Sequence, residues 1–271
     1  MSEICKNCTE EITLNFCGNC GQKKAKRIDR TYIKDELQYT VLHMNKGFLY
    51  SIKKILKGPG KTAREFVEGN RVNHYKPILL VFVVAGISAF LTNTFIHPEE
   101  IMVKYYESKG LTGIEAASGI AASSFMYKYS AIVMLATVPF MAFFTWLAFR
   151  KWGYNYYEHV IITAYSLVFL QVLTILIVIP LQLILKNNLN LFITITSIVY
   201  MLLMFGTFIW FYIDLYNNKS AGEVVMRLFI FGIVITISVV ILSIIIGVGL
   251  GIYVASQGID PNAFFGVKPT H

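Results

Sequence analysis

Charge is scarce in most of this chain. Only 15% of its residues are Asp, Glu, Lys or Arg, against 55% apolar ones, which is too apolar for an ordinary soluble domain and makes the bilayer its natural solvent. Cysteine is absent beyond position 20, so the bulk of the chain has no disulfide framework. The long apolar runs hold no Asp, Glu, His or Cys at depth, which argues against a proton relay, an ion pump or intramembrane catalysis. The chain also opens on a polar, cysteine-bearing stretch instead of a basic tip with a short apolar run. A secretory leader is therefore not expected, and the first membrane span is expected to act as its own insertion signal.

What is present is a series of charge-free runs. From Pro77 the sequence PILLVFVVAGISAFLTNTFI continues for about 20 residues, the length a helix rising ~1.5 Å per residue needs to cross a ~30 Å core. Further runs lie near 129–149, 160–185, 191–213 and 228–254. Four are rich in Ile and Val, but a lipid span must satisfy its own backbone hydrogen bonds, so length overrides strand propensity. The fold class expected is an all-α integral membrane protein, with about five transmembrane helices over 77–254. A zinc ribbon (1–27), a basic amphipathic juxtamembrane segment (28–76) with interfacial helices, and a short extracytoplasmic tail (255–271) complete the chain.

Charge placement sets the expected orientation. Residues 1–76 hold 15 of the 24 Lys and Arg, and with the N-terminus inside, the inner segments total 19 against 5 outside. The positive-inside rule then gives a cytoplasmic N-terminus and an extracytoplasmic C-terminus, in a bacterial inner membrane. This places Cys5-x-x-Cys8 and Cys17-x-x-Cys20, separated by eight residues, in a reducing compartment. Two thiolate pairs on tight turns suit a closed tetrahedral site. A disulfide pair and a rubredoxin-like iron site are the alternatives, and structural Zn2+ is the expected cofactor. Four thiolates leave no open position for catalysis, so the ribbon reads as a module for shape or docking.

Between ribbon and first span, Leu37, Val41, Met44, Phe48, Ile52 and Ile55 trace one apolar stripe at helical spacing, with Lys46, Lys53, Lys54 and Lys57 elsewhere around it. Such a helix either lies in the interface, its lysines near anionic headgroups, or packs against the bundle's inner face. Gly58-Pro59-Gly60 ends it, and Thr62 with Glu65 reads as the capping box of a second short helix closed by Gly69. Gly60-Lys61-Thr62 looks like the end of a phosphate-binding loop, but position 55 is Ile where that motif has Gly and a helix precedes it. A helix N-terminus with Lys61 remains a candidate for a lipid phosphate. Arg64 and Arg71 belong to a charged collar before Pro77 that is either a headgroup site or a solvated, salt-bridged rim.

At the span ends, Glu158, His159, Asp214, Glu223 and Arg227 all fall on the cytoplasmic side, where they could gather into one polar cluster; anchoring at the span ends is the plainer role. Gln171 and Gln182 lie within the third span, eleven residues apart and so on one face, as expected for hydrogen bonds across a helix interface.

CKNC, CGNCGQK and GFLYSIKKILKGPGKTAREFVEGNRVNHYKPILL together resemble an uncharacterised bacterial family catalogued as domain of unknown function 3667, most specifically from Pro59 to Pro77. The resemblance implies a zinc-ribbon multispan protein and supplies no mechanism. Five spans with a cytoplasmic head, and YEHVIITAYS entering the third, are distantly similar to Yip-type membrane proteins. The function expected is non-enzymatic: ribbon and basic helices dock an unknown cytoplasmic protein or anionic lipid, with no nucleic acid, while the bundle anchors or organises the membrane. The alternative is a transporter or permease for a small molecule or lipid, which a polar cavity reaching the bilayer midplane would favour.

Overall fold

The structure is a computed structural model describing residues 3–25, 27–33, 47–111 and 114–256. Leu37, Val41 and Met44 of the proposed stripe, the headgroup candidate Lys46, and the tail beyond Ser256 lie outside the described residues. Among the described residues, five helices are long and apolar enough to cross a membrane. They are α3 (Pro77–Phe95), α6 (Ser130–Phe149), the continuous run of α7 (Tyr156–Leu173) and α8 (Ile179–Leu185), α9 (Leu189–Leu215) and α10 (Ala221–Ser256). Before them come strands β1 (Glu3–Ile4) and β2 (Glu11–Ile12) and helices α1 (Phe48–Lys57) and α2 (Pro59–Val67).

Helix α7 is the axis of the bundle. Ile161, Ile162, Ala164, Tyr165, Val168 and Phe169 are completely buried in it, because α7 packs against α2, α3, α6 and α9 at once. At the other extreme, α10 touches only α6 and α9 strongly and leaves most of its Ile and Val exposed. That pattern is reversed from a soluble protein, as expected when the surrounding solvent is hydrocarbon.

Between α7 and α8 the helix widens into a π turn at Thr174–Val178, where the Ile179 amide reaches back five residues to the Thr174 carbonyl. Pro180 follows directly and has no N–H to give, so the widened turn absorbs the missing donor without breaking the span. The stretch between the first two spans, unassigned from sequence, forms α4 (Pro98–Ser108) and α5 (Ile114–Lys128), which pack on each other. Pro98 at the first helical position with Glu99 and Glu100 in the first turn provides the start.

At the opposite end of the bundle, α1 and α2 form a layer across the span ends. Ser51 and Ile55 of α1 are completely buried, whereas Leu49, Lys53 and Lys57 face outward. The described half of the amphipathic segment is therefore a helix packed on the bundle with a basic outer face. Helix α2 starts a turn earlier than the Thr62/Glu65 capping box implies, with Pro59 at its first position. The Thr62 hydroxyl donates backward to the Gly58 carbonyl (2.7 Å) and is not a cap.

Gly60 stands where α2 meets α9 end-on. A Cβ there would collide with the Phe211 carbonyl oxygen and the Leu215 amide nitrogen, so any larger residue must push the two helices apart. Gly60→Val is expected to destabilise the full chain by about 1–3 kcal/mol. Gly206→Ala, where a Cβ meets nothing within 4 Å, is expected to leave the thermal midpoint in detergent unchanged or slightly raised. Equal midpoints for the two variants would refute the close approach.

Candidate functional site

The ribbon is built from two near-identical turns. The Thr9 amide closes the first onto the Cys5 carbonyl and the Gly21 amide closes the second onto Cys17, both at 2.9 Å. Strand pairing flanks each turn, Glu3 with Ile12 and Ile4 with Glu11 around the first, Phe16 with Lys23 around the second. The eight residues between the cysteine pairs thus link two turns and do not form the hairpin themselves. The four sulfurs converge, Cys5 to Cys20 at 3.6 Å, Cys8 to Cys17 at 3.4 Å, all within 4.8 Å of one another. Metal–sulfur bonds of ~2.3 Å in a tetrahedron put sulfurs about 3.8 Å apart, so Cys5, Cys8, Cys17 and Cys20 could hold one metal ion. The Asn7 side chain and the Gln22 backbone donate to Cys20 and pull its thiol down to about 6, while burial and the neighbouring sulfurs push Cys8 up to about 12, so Cys20 is the readier of the two to supply the thiolate a metal needs.

The ribbon is fastened to the bundle. Arg27 makes a two-pronged contact with Glu158, Nε to Oε1 at 3.0 Å and Nη2 to Oε2 at 3.1 Å, and Nη2 also donates to the Gly153 carbonyl. Glu158 is simultaneously the third residue of α7 and accepts the Asn155 amide at 2.6 Å, while Asn155 Oδ1 accepts the Glu158 amide. This is a capping box, readable in the Asn155-x-x-Glu158 spacing. Asn155 Nδ2 donates onward to the Ile28 carbonyl, and Ile28 is fully buried in the main core. On the neighbouring seam Gln22 Nε2 donates to the Gly69 carbonyl. Gly69 has φ +116, and a Cβ there would run into Ala25, so glycine is required both by conformation and by the ribbon's approach.

The five inner-face candidates therefore separate into different seams. Glu158 holds the ribbon. His159 is buried one turn inside, Nδ1 3.2 Å from Thr145 Oγ1, with Phe149 stacked beside it. Asp214 accepts the Lys61 amide at 2.8 Å. Arg227 lies over the Trp152 ring and donates to the Ala148 carbonyl, and Glu223 is exposed.

The basic candidates divide as well. Arg64 donates to the Asp214 and Leu215 carbonyls (2.7 and 2.6 Å), capping the C-terminus of α9. Arg71 caps α2 through the Phe66 and Val67 carbonyls. Lys53, Lys54, Lys57 and Lys61 instead line one cleft of about 380 Å³ with Tyr50, Thr62 and Glu65; Lys61 reaches Glu65 at 3.8 Å. The N-terminal amide of α2 that could have met a phosphate is occupied by the Asp214 carboxylate.

A second cavity, of about 470 Å³, lies at the end of the bundle away from the ribbon, between α3, α4, the π turn and α9. Gln171 and Gln182 both line it. Their shared face is as the spacing of eleven implies, but among the described residues neither carboxamide finds the expected partner on a facing helix.

Residues 45–89, which carry α1, α2 and about the first two thirds of α3, match the model of a family described as "Protein of unknown function (DUF3667)". The resemblance read from the Pro59–Pro77 stretch holds there. No curated protein and no solved structure matches the chain.

Just below the first span, His74 is buried among the rings of Tyr50, Phe66 and Tyr165, Nδ1 3.4 Å from the Tyr165 hydroxyl. Burial first, then the nearby Lys54, pulls it from 6.5 down to about 4. Between those two values the unfolded chain binds the extra proton, so stability is full above pH 6.5 and falls as the pH drops towards 4, by at most about 1.4 kcal/mol per unit. Thermal unfolding from pH 7 to pH 5 should register this loss, and His74→Phe should shrink it; an identical pH dependence in the variant would exclude His74 as its source.

Proposed function

We propose that the protein is a non-enzymatic scaffold of the bacterial inner membrane whose cytoplasmic face grips anionic lipid and presents the ribbon to a protein partner. The observation that carries the reading is the lysine cleft. Four ammonium groups from α1 and α2 line one depression beside the span ends, with Glu65 as the single acid in its lining. Arg64 and Arg71, by contrast, are spent on backbone carbonyls. Leu49 and Leu56, exposed on α1 beside these lysines, suit the boundary between headgroup and acyl chain. The 19-to-5 basic count supports a cytoplasmic N-terminus and an extracytoplasmic C-terminus.

The ribbon supports the partner half of the reading. Its inner edge is taken up by Gln22, Ala25, Arg27 and Ile28, while Ile4, Leu14 and Phe16 stay exposed. Held against the bundle, these apolar groups are offered at a fixed height above the membrane, which lowers the ordering cost of docking. The metal in this reading is zinc, bound by Cys5, Cys8, Cys17 and Cys20 in a closed structural site. Protein purified from cytoplasm-facing membranes is expected to carry one zinc per chain by elemental analysis. Stoichiometric iron would overturn that assignment.

One feature favours the second reading, a permease. The outer cavity reaches Gln171, the sixteenth residue of the thirty in Tyr156–Leu185. Below it, however, the bundle is filled by the fully buried Tyr165, Phe169, Phe211 and Tyr212, so passage would require the aromatic core to part. The scaffold needs no such rearrangement.

The test uses the full chain. Each lysine near an anionic surface is worth about 1 kcal/mol, so replacing Lys53, Lys54, Lys57 and Lys61 with Gln should weaken retention of phosphatidylglycerol by up to roughly 1,000-fold at low ionic strength. Native mass spectrometry of wild type and variant, against phosphatidylcholine and at two salt concentrations, reads this directly. Equal retention of the two lipids by wild type would remove the headgroup role.

A further inference from the structure

The cavity at the far end of the bundle is polar without being charged. Gln171, Gln182, Asn93, Thr174, Ser130 and Tyr200 contribute amide and hydroxyl groups to its wall, and no Asp, Glu, Lys, Arg or His lines it. Methionines 102, 126 and 134 and the isoleucines of α4, α8 and α9 supply the apolar remainder. Its volume falls within the ~300–1,000 Å³ typical of small-molecule sites, and the mixture of apolar wall with a few convergent polar groups is the usual make-up of one.

Several of these polar groups have no work to do inside the protein. The carboxamides of Gln171 and Gln182 make no hydrogen bond among the described residues, and the Ser130 hydroxyl is buried with no partner. Asn93 and Thr174 spend one donor each, on the Ala89 and Leu170 carbonyls of their own helices. An amide placed in a membrane span without a partner costs free energy. Two unpartnered amides on one face of the third span therefore line a single volume.

That set discriminates by chemistry. A carboxylate, phosphate or ammonium entering here would leave water without meeting an opposite charge, which a low-dielectric site penalises heavily. A plain acyl chain would leave both glutamines unsatisfied. A molecule with several uncharged hydroxyl groups satisfies the amides in both directions, since each carboxamide both donates and accepts, and an attached apolar part would rest on the methionines.

We propose that this cavity binds an uncharged polyhydroxyl group, with a glyceryl headgroup of a neutral lipid as the chemistry that fits both halves of its lining. The site depends on the cavity alone and stands apart from the lysine cleft, which takes charged headgroups at the other end of the bundle. It holds whether the ligand is moved or merely kept.

The probe is a monoacylglycerol carrying a diazirine in its acyl chain, photolysed with the full chain in phosphatidylcholine nanodiscs. The label is expected on the peptides holding Met126, Met134 or Tyr200, and unlabelled 1-monooleoylglycerol should compete for it while oleate, with the same tail and a charged head, should not. Competition by free glycerol as well would identify the soluble polyol as a sufficient ligand; its failure would assign the site to the lipid. Gln171→Leu/Gln182→Leu should reduce labelling at least tenfold, with metal content and thermal midpoint retained as the check on folding. Ala89→Trp, which fills the cavity while leaving both glutamines in place, should do the same. Equal competition by oleate, unchanged labelling in the double variant, or label confined to the lipid-facing α10 would overturn the assignment. None of these outcomes depends on the four lysines, so failure here leaves the anionic-lipid reading untouched, and the converse holds.

Discussion

Helix α2 meets α9 end to end, and the arrangement of the inner face follows from that junction. The positive end of one helix dipole abuts the negative end of the other. Asp214 adds a negative charge against the first turn of α2 and Arg64 adds a positive one against the last carbonyls of α9, so the Lys61 amide and the Asp214 and Leu215 carbonyls at the two helix ends are partnered across the junction. Because Gly60 carries no side chain, the backbones come close enough for this to occur. Once α2 is fixed, α1 is held through Ser51, whose hydroxyl accepts the Tyr75 amide at 2.8 Å. The ribbon is likewise held through Gly69. The layer of α1, α2 and the ribbon is thereby a continuation of the bundle.

The same junction explains which parts were legible beforehand. Span number and approximate limits follow from apolar run length, since nothing in hydrocarbon competes with the helix for backbone hydrogen bonds; the helices extend beyond the charge-free runs by a turn or two at most, taking in polar end residues such as Tyr156, Asp214 and Glu223. The cysteine cluster was legible because metal geometry imposes its own spacing. By contrast, the pairing of Arg27 with Glu158 joins residues 131 apart, and no local pattern encodes a contact of that range. The basic residues illustrate the limit well. Lys57 and Arg64 look alike in sequence, yet one faces solvent and the other caps a carbonyl pair, a distinction made by the position of α9 alone.

Glutamine within a span gave a partial signal. The spacing of Gln171 and Gln182 fixed their common face correctly, but whether that face met a helix or a void depended on the π turn between them and on α4 folding over the far end of the bundle. Both features arise from local chemistry that was available, namely Pro180 and the Pro98-Glu-Glu start. Their consequence, an empty volume facing two amides, arises only on assembly.

The doubled use of Glu158 has a consequence for energetics. One carboxylate closes the first turn of α7 and also receives Arg27 from the ribbon, so the start of the most buried helix and the seating of the ribbon share a single group. Two equilibria that share a group are thermodynamically reciprocal. If the four sulfurs hold a metal ion, whatever free energy the seated ribbon gains from its contacts with Glu158, Asn155 and Gly69 adds to their affinity for it. By the same measure, occupancy of the sulfurs would be felt as extra stability at the mouth of the bundle. The ribbon would then act as a weight on the balance of the whole bundle, pressing as heavily as the supply of metal allows.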